Sequence, residues 1–185
     1  MKSIALLLFC AITLQARSQG VFSNETNAAL QKVISDYPNR FSNIRGEKLS
    51  SGTAQAEYAS KVVIPGSTAR LISTASTRSG EALGWKAQLF RSPDFAQSRQ
   101  HYKELFDRIK NTIVRIDGQP PAIISGNYEE PASDRNQSAV SFQLLPGTGV
   151  LLQLRVELQL QKEGADWVIR LWVLEKDAEN QVVRN

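Results

Sequence analysis

The chain contains few of the side chains that usually catalyse reactions or bind metals. Its 185 residues include one histidine, His101, and one cysteine, Cys10. The motifs Gly-x-Ser-x-Gly, Ser-x-x-Lys and His-Glu-x-x-His, which position a nucleophile or two zinc ligands, do not occur. Because zinc and related metals need several His or Cys ligands, the sequence predicts no transition-metal site and no cofactor.

Carboxylates are the remaining candidates for catalysis, and they define the alternative hypothesis of a hydrolase. A catalytic role for His101, the single histidine, requires an acid or a nucleophile beside it. Glu129, Glu130 and Asp134 lie in a polar segment without the regular ligand spacing of calcium loops, which favours a solvated loop. The hydrolase hypothesis therefore requires a carboxylate pair, or a His–carboxylate pair, in a cleft between the two halves of the chain.

The N-terminus has the pattern of a secretory leader. Lys2 precedes an apolar run over residues 4–14, and the small residues Ala16 and Ser18 precede a cleavage position before Gln19. The run is shorter than the roughly 20 residues that span a bilayer. The sequence thus predicts a signal peptide over 1–18 and a mature periplasmic or secreted chain over 19–185 with no transmembrane segment.

Removal of this leader changes the charge and the cysteine content. The leader carries Lys2, Arg17 and Cys10 but no acidic residue, so the formal net charge falls from +4 to +2. That charge is too small to indicate a nucleic-acid partner, which usually goes with a strongly basic surface. A cysteine-free mature chain cannot form disulfides, so we expect burial of apolar side chains alone to stabilise it.

Two helices are predicted from apolar stripes with a period near 3.6. The first runs from about Ser23 to Pro38, and its stripe contains Leu30, Val33, Ile34 and Tyr37. The second begins at Ser92-Pro93-Asp94, which combines a cap, a helix-starting proline and an acid, and it runs to about Lys110. The stripe of the second helix comprises Phe95, Tyr102, Leu105, Phe106 and Ile109.

The basic residues of the second helix offer a further hypothesis, the binding of a polyanion or an anionic lipid. Four-residue spacing allows Lys103 to pair with Asp107, and Glu104 to pair with Arg108. These pairings favour an ordinary solvated helix face.

Strands are predicted from alternating apolar residues after each helix. Three follow the first helix, at Tyr58–Ile64, around Leu71 and at Leu83–Leu89. After the second helix, a weak apolar stretch at Ile123-Ile124 and a polar loop at 129–138 lead to three clear strands. These begin at Val140, Val150 and Trp167, and the last ends at Leu174.

The order of elements indicates an internal duplication of an α-β-β-β unit over about 23–91 and 92–176. A Pro-Gly turn recurs at Pro65-Gly66 and Pro146-Gly147, and Trp85 and Trp167 occupy matching positions. Two such units would form a single α+β domain, a two-layer sandwich of one antiparallel sheet with both helices on one face.

The uncovered face of that sheet is the predicted binding surface. If Trp167, Ile169, Leu171 and Val173 face the helices, alternation turns the other residues of the strand away from them. The candidate residues are Trp172, Arg170, Val168 and Leu174, with Arg155 on the neighbouring strand. They would form an apolar patch with an embedded guanidinium, a composition enriched at recognition sites. The sequence therefore favours a non-enzymatic binding protein of the cell envelope, and the same face could pair two copies of the chain.

In shape alone, this arrangement resembles the tandem-repeat β-lactamase inhibitory proteins and the small outer-membrane assembly lipoproteins. The resemblance implies a protein that presents a sheet face to a partner. This chain lacks the disulfides of the former family and the lipid-bearing cysteine of the latter.

Overall fold

The computed structural model describes residues 20–51, 55–77 and 80–176. The predicted signal peptide, including Cys10, lies outside these residues. The helices are α1 (Gly20–Ser35) and α2 (Phe95–Ile109). The strands are β1 (Arg45–Ser51), β2 (Gln55–Ser60), β3 (Ala69–Thr77), β4 (Gly80–Ser92), β5 (Ile113–Val114), β6 (Ala122–Ser125), β7 (Gln137–Leu145), β8 (Leu154–Glu163) and β9 (Asp166–Glu175).

All nine strands form one antiparallel sheet in the order β1-β2-β3-β4-β9-β8-β7-β6-β5. The predicted α+β class, with one antiparallel sheet and two helices, is confirmed. The last strand of each half, β4 and β9, meets the other at the centre of the sheet. This order suits two related halves, while their origin by duplication stays a prediction.

The number of strands in each half differs from the prediction of three. Four strands follow α1 and five follow α2. The segment Arg45–Ser51, for which no strand was predicted, forms the edge strand β1, and the weak stretch at Ile123-Ile124 forms the middle of β6. An edge strand is held mainly by backbone hydrogen bonds to a single neighbour, so β1 forms without the apolar alternation on which the prediction depended.

The core lies between the helices and one face of the sheet. Five fully buried side chains occupy one register row across β3, β4, β9, β8 and β7, and their backbones pair in the order Ile72, Trp85, Val173, Val156 and Phe142. The predicted stripes of both helices pack on this face, with α2 over β4, β8 and β9 and α1 beside α2. Burial on this scale supplies the stability that a domain without disulfides requires. Among the described helices, none has the length and apolar character of a membrane span.

The start of α2 lies close to its predicted position. Asp94 is the cap, and its carboxylate accepts hydrogen bonds from the backbone N–H groups of Ala96 at 2.8 Å and Gln97 at 3.2 Å. Ser92 supports the cap because its hydroxyl accepts a bond from the N–H of Asp94. The helix therefore begins two residues after the predicted proline position, since the carboxylate reaches the first free N–H groups and the serine does not.

A buried carboxylate organises the turn between α1 and β1. Asp36 accepts hydrogen bonds from the backbone N–H groups of Asn43 at 3.1 Å and Ile44 at 3.2 Å, and from the side-chain amides of Asn39 and Asn43. Two residues of the enclosed loop, Arg40 and Phe41, have positive φ angles. Because this loop crosses from the helix layer to the sheet, Asp36 fixes the separation between α1 and the β1 edge.

Candidate recognition surface

The sheet has one face turned away from the helices, which we call the open face. Of the β9 residues, Val168, Arg170, Trp172 and Leu174 alternate with the core residues and lie on this face. Arg155 is the register partner of Leu174 on β8. The structure therefore brings the five predicted residues together on one side of two adjacent strands.

The exposure of these residues differs from the expected apolar patch. Val168 is 0% exposed and Leu174 is 5% exposed, so neither offers surface to a partner. Leu174 packs close against Gly84 of β4, while Val168 lies between Arg91 of β4 and Gln161 of β8 in the register. The prediction treated β9 by itself, and the difference arises from the two neighbouring strands, which pack against Val168 and Leu174.

An ion-pair cluster occupies one end of the open face. The guanidinium of Arg170 donates to both carboxylate oxygens of Glu163, at 2.6 and 2.9 Å. Arg91 joins the cluster through Asp166 at 2.8 Å and Glu163 at 3.7 Å. The hydrogen bonds from Arg170 lower the pKa of the Glu163 carboxyl below its usual value. Arg170 is therefore held in a fixed orientation by two charge-assisted hydrogen bonds.

Trp172 lies at the centre of the open face among polar side chains. Its indole N–H donates to Gln159 Oε1 at 3.2 Å, and Gln159 Nε2 donates to Glu157 Oε1 at 2.6 Å. Lys86 Nζ lies 5.4 Å from the centroid of the indole ring, and Arg155 is 3.0 Å from Glu157. The half-buried ring is thus held by a hydrogen bond from its indole N–H to Gln159 and by the ammonium group of Lys86 over its face.

A row of exposed aliphatic side chains lies at the other end of the open face. Ile113, Ile123 and Leu145 are register partners on β5, β6 and β7, and they are 47%, 45% and 49% exposed. The side chain of Leu152, also about half exposed, lies against Gly147, two residues after Leu145. Sequence reasoning missed this row because Ile123 and Ile124 form one apolar pair in the sequence, although consecutive strand residues point to opposite faces.

His101 lies on the helix side, away from the open face. Its ring stacks on Phe90 with the centroids 4.1 Å apart, and its Nδ1 is 3.6 Å from Glu104 on the same helix. Lys103 pairs with Asp107 at 2.7 Å, as the spacing predicts, whereas Glu104 contacts His101 instead of Arg108. The Lys103–Asp107 pair neutralises one of the basic side chains of α2.

Two clefts were tested for the hydrolase hypothesis. One, of about 480 Å³, lies beside α1 and has Glu25 as its only carboxylate among Lys32, Lys61 and apolar residues. The other, of about 400 Å³, lies along β7 and has Glu129 as its only carboxylate. Neither cleft contains an acid pair or a His–acid pair, and the described ranges contain no cluster of three metal-ligating side chains. These clefts provide no observation in favour of hydrolysis.

The chain has little similarity to known proteins. No protein-family model matches the chain, and no curated protein matches it. One solved structure, that of CalU16 from Micromonospora echinospora, is 17% identical over 62% of this chain and 74% of that chain, with a TM-score of 0.30. A similarity of this size carries no argument about fold or function.

Proposed function

We propose that the protein is exported and that it acts without catalysis, by binding a partner in the cell envelope through the open face. The observation that carries the proposal is the position of both helices on one side of the nine-stranded sheet. The other side carries the oriented indole of Trp172, the fixed guanidinium of Arg170 and a row of exposed aliphatic side chains.

The composition of the open face supports recognition. Trp and Arg are enriched among the residues that dominate binding energy, particularly where neighbouring groups fix their orientation. Ile113, Ile123 and Leu145 add apolar area on which a partner could gain affinity by burial. A surface with a polar centre and an apolar end suits a partner with the complementary arrangement better than it suits a small apolar ligand.

Export is supported by the N-terminal pattern and by the absence of cysteine after residue 18. To test it, the full chain is produced in a Gram-negative host, and the N-terminus of the purified protein is sequenced. We expect the chain to begin at Gln19, and we expect Ala16→Glu to leave the leader uncleaved because the −3 position requires a small residue. Recovery of the wild type from the cytoplasm with its leader intact would refute export.

Binding is tested by photo-crosslinking in cells of the source organism. A photoreactive amino acid replaces Gln88 or Gln161 on the open face, or Gln100 on the exposed side of α2 as the control. We expect both open-face positions to yield the same adduct, whether with another protein or with a second copy of this chain, and Gln100 not to yield it. Trp172→Ala combined with Arg170→Ala should remove the adduct, and a cooperative thermal transition, at a temperature lowered by the loss of the Arg170–Glu163 bonds, should show that the variant still folds. Identical adducts at all three positions would contradict the proposal.

A further inference from the structure

Strand β7 has unequal partners on its two sides. On one side it pairs with β8 from Gln137 to Phe142. On the other side it pairs with β6 only from Gln143 to Leu145. Strand β6 ends at Ser125, so the backbone edge of β7 before Gln143 has no strand beside it.

The hydrogen-bond directions show which groups lie on this edge. Ile124 exchanges both of its backbone bonds with Asn111 and Thr112, on the side away from β7. Backbone hydrogen-bonding directions alternate along a strand, so the N–H and C=O of Ser125 point toward β7 and those of its register partner Gln143 point toward β6. Along β7, the same alternation points the backbone N–H and C=O groups of Ser141 and Ala139 away from β8.

The start of β7 gives the same assignment independently. The carbonyl of Asn136, one residue before the β7–β8 pairing begins, accepts a hydrogen bond from the N–H of Lys162. The backbone N–H and C=O groups of the even-numbered β7 residues therefore point toward β8. The odd-numbered residues Ala139 and Ser141 face the other way, and within the described ranges their outward N–H and C=O groups have no hydrogen-bond partner. Both residues are exposed.

The departure of the chain from the sheet after β6 has a steric cause. A Cβ at Gly126 would lie 2.7 Å from Cδ1 of Phe142, a fully buried ring, so only glycine allows the close approach made there. The chain then turns to the helix side, where Tyr128 packs on Phe106 with the centroids 5.1 Å apart. This route covers the core beside β7 but leaves the backbone edge of the strand uncovered.

The space beside this edge is a groove of about 400 Å³. Its walls are β7 and the segment that leaves the sheet, and they include Ser125, Asn127, Glu129, Ser141 and Gln143. Most of these side chains are small or uncharged, and Glu129 has no ion pair among the described residues. The groove therefore offers backbone hydrogen-bond groups and one negative charge.

The outer edge of β1 provides a contrast within the same sheet. There the pairing with β2 is interrupted by two register shifts, and Arg45, Glu47 and Lys48 are charged. Irregular pairing and charge are the usual devices that prevent an edge from accepting another strand. Strand β7, by comparison, pairs with β8 without interruption over Gln137–Phe142 and carries the small residues Ser138, Ala139 and Ser141.

We propose that the β7 edge at Ala139 and Ser141 binds an extended segment of a partner polypeptide as an added antiparallel strand, with a basic side chain of that segment against Glu129. Strand addition supplies affinity through main-chain hydrogen bonds and specificity through alternate side chains. An extended peptide fits the observations because it alone matches donors and acceptors alternating along a strand. The proposal is independent of the Trp172 region, so failure at either site leaves the other testable.

The test uses a seven-residue peptide, blocked at both ends, with alternating Val and Thr and one central Lys. It is titrated against the ¹⁵N-labelled mature protein, and amide hydrogen exchange is followed by NMR. We expect the exchange of the Ala139 and Ser141 amides to slow at least about tenfold, because each gains a hydrogen bond. The already paired amides of Val140 and Phe142 should change little. The same peptide with N-methyl groups on alternate backbone nitrogens should not bind.

Two variants examine the site from the protein side. Ala139→Pro removes the outward N–H without removing a bond to β8, and it should weaken binding at least about tenfold. Glu129→Gln should reduce the preference for the Lys peptide over its Glu counterpart. If Ala139→Pro does not fold, the N-methylated peptide tests the same bonds on the wild type. Three results would overturn the proposal: equal binding of the unmodified and N-methylated peptides, unchanged exchange at Ala139 and Ser141, or a dimer of the chain that occupies this edge.

Discussion

The close contact between Gly126 and Phe142 predicts the cost of a single methyl group. In Gly126→Ala, the new Cβ would lie 2.7 Å from one ring carbon of Phe142 and 3.2 Å from two others, all closer than ordinary carbon contacts. The ring is fully buried and stacks on Phe106 with the centroids 5.5 Å apart, so it has little room to move. Overpacking of this kind costs about 1–3 kcal/mol, and we expect the free energy of unfolding to fall by about 2 kcal/mol.

The assay is equilibrium unfolding in urea, in which tryptophan fluorescence reports the fraction of unfolded protein. Gly126→Ala should lower the midpoint and leave the m-value unchanged, since the surface exposed on unfolding is the same. Ser125→Ala, one residue earlier and partly exposed, serves as the control and should change stability by less than about 0.5 kcal/mol. Adding Phe142→Leu to Gly126→Ala should cost less than the two single changes together, because the smaller side chain makes room for the methyl.

Wild-type stability in Gly126→Ala would refute the steric explanation for the end of β6. Strict additivity in the double variant would refute it as well, since residues in contact couple. Either result would mean that another interaction directs the chain to the helix side after Ser125.

Three further predictions concern polar side chains that hold hydrogen bonds in the structure. Asp36→Ala should lower the free energy of unfolding by about 3 kcal/mol in urea unfolding, because it leaves several donors without an acceptor; a loss below about 1 kcal/mol would contradict this. The bond from Arg170 lowers the pKa of Glu163 below 4.5, so its contribution to stability is present above pH 4.5 and is lost as the pH falls through the lowered pKa. The advantage of wild type over Glu163→Gln should accordingly narrow in thermal melts below pH 4.5, and a constant gap would contradict this. Burial raises the pKa of Tyr102 above 10, so its contribution to folding stability is present below pH 10 and is lost as the pH rises further. Tyr102→Phe removes the hydrogen bond to the Leu158 carbonyl and should lower the free energy of unfolding by about 1 kcal/mol. Above pH 10, its melting temperature should fall less than that of the wild type.

The sequence was sufficient for the elements whose own periodicity buries a face. The stripes around Leu30 and Tyr102 and the alternation predicted from Val150 identify both helices and the central strands, and these determine the α+β class. The prediction began β8 too early, because Gly149–Gln153 forms a 3-10 helix and the strand starts at Leu154. Strand β1 could not be found in this way, because an edge strand depends on pairing with β2 and needs no apolar face.

The exposure of the residues at the candidate site could not be predicted from the sequence. Alternation within β9 places Val168 and Leu174 on the open face correctly, but their burial depends on the neighbouring strands β4 and β8. The pairing of those strands is a long-range property that no local pattern contains. The unpaired edge of β7 is harder still to predict, because it depends on the close contact between Gly126 and the ring of Phe142.

Oxidative footprinting of Trp172 tests the recognition account most directly. The purified mature protein and the same protein in the intact envelope of its own cells are exposed to hydroxyl radicals, and modification is measured by mass spectrometry. We use His101 as the internal reference, because it is partly exposed on the helix side. We expect Trp172 to be oxidised in the purified protein and protected several-fold in the envelope, while His101 is oxidised equally in both. Equal oxidation of Trp172 in the two samples would contradict a partner on the open face.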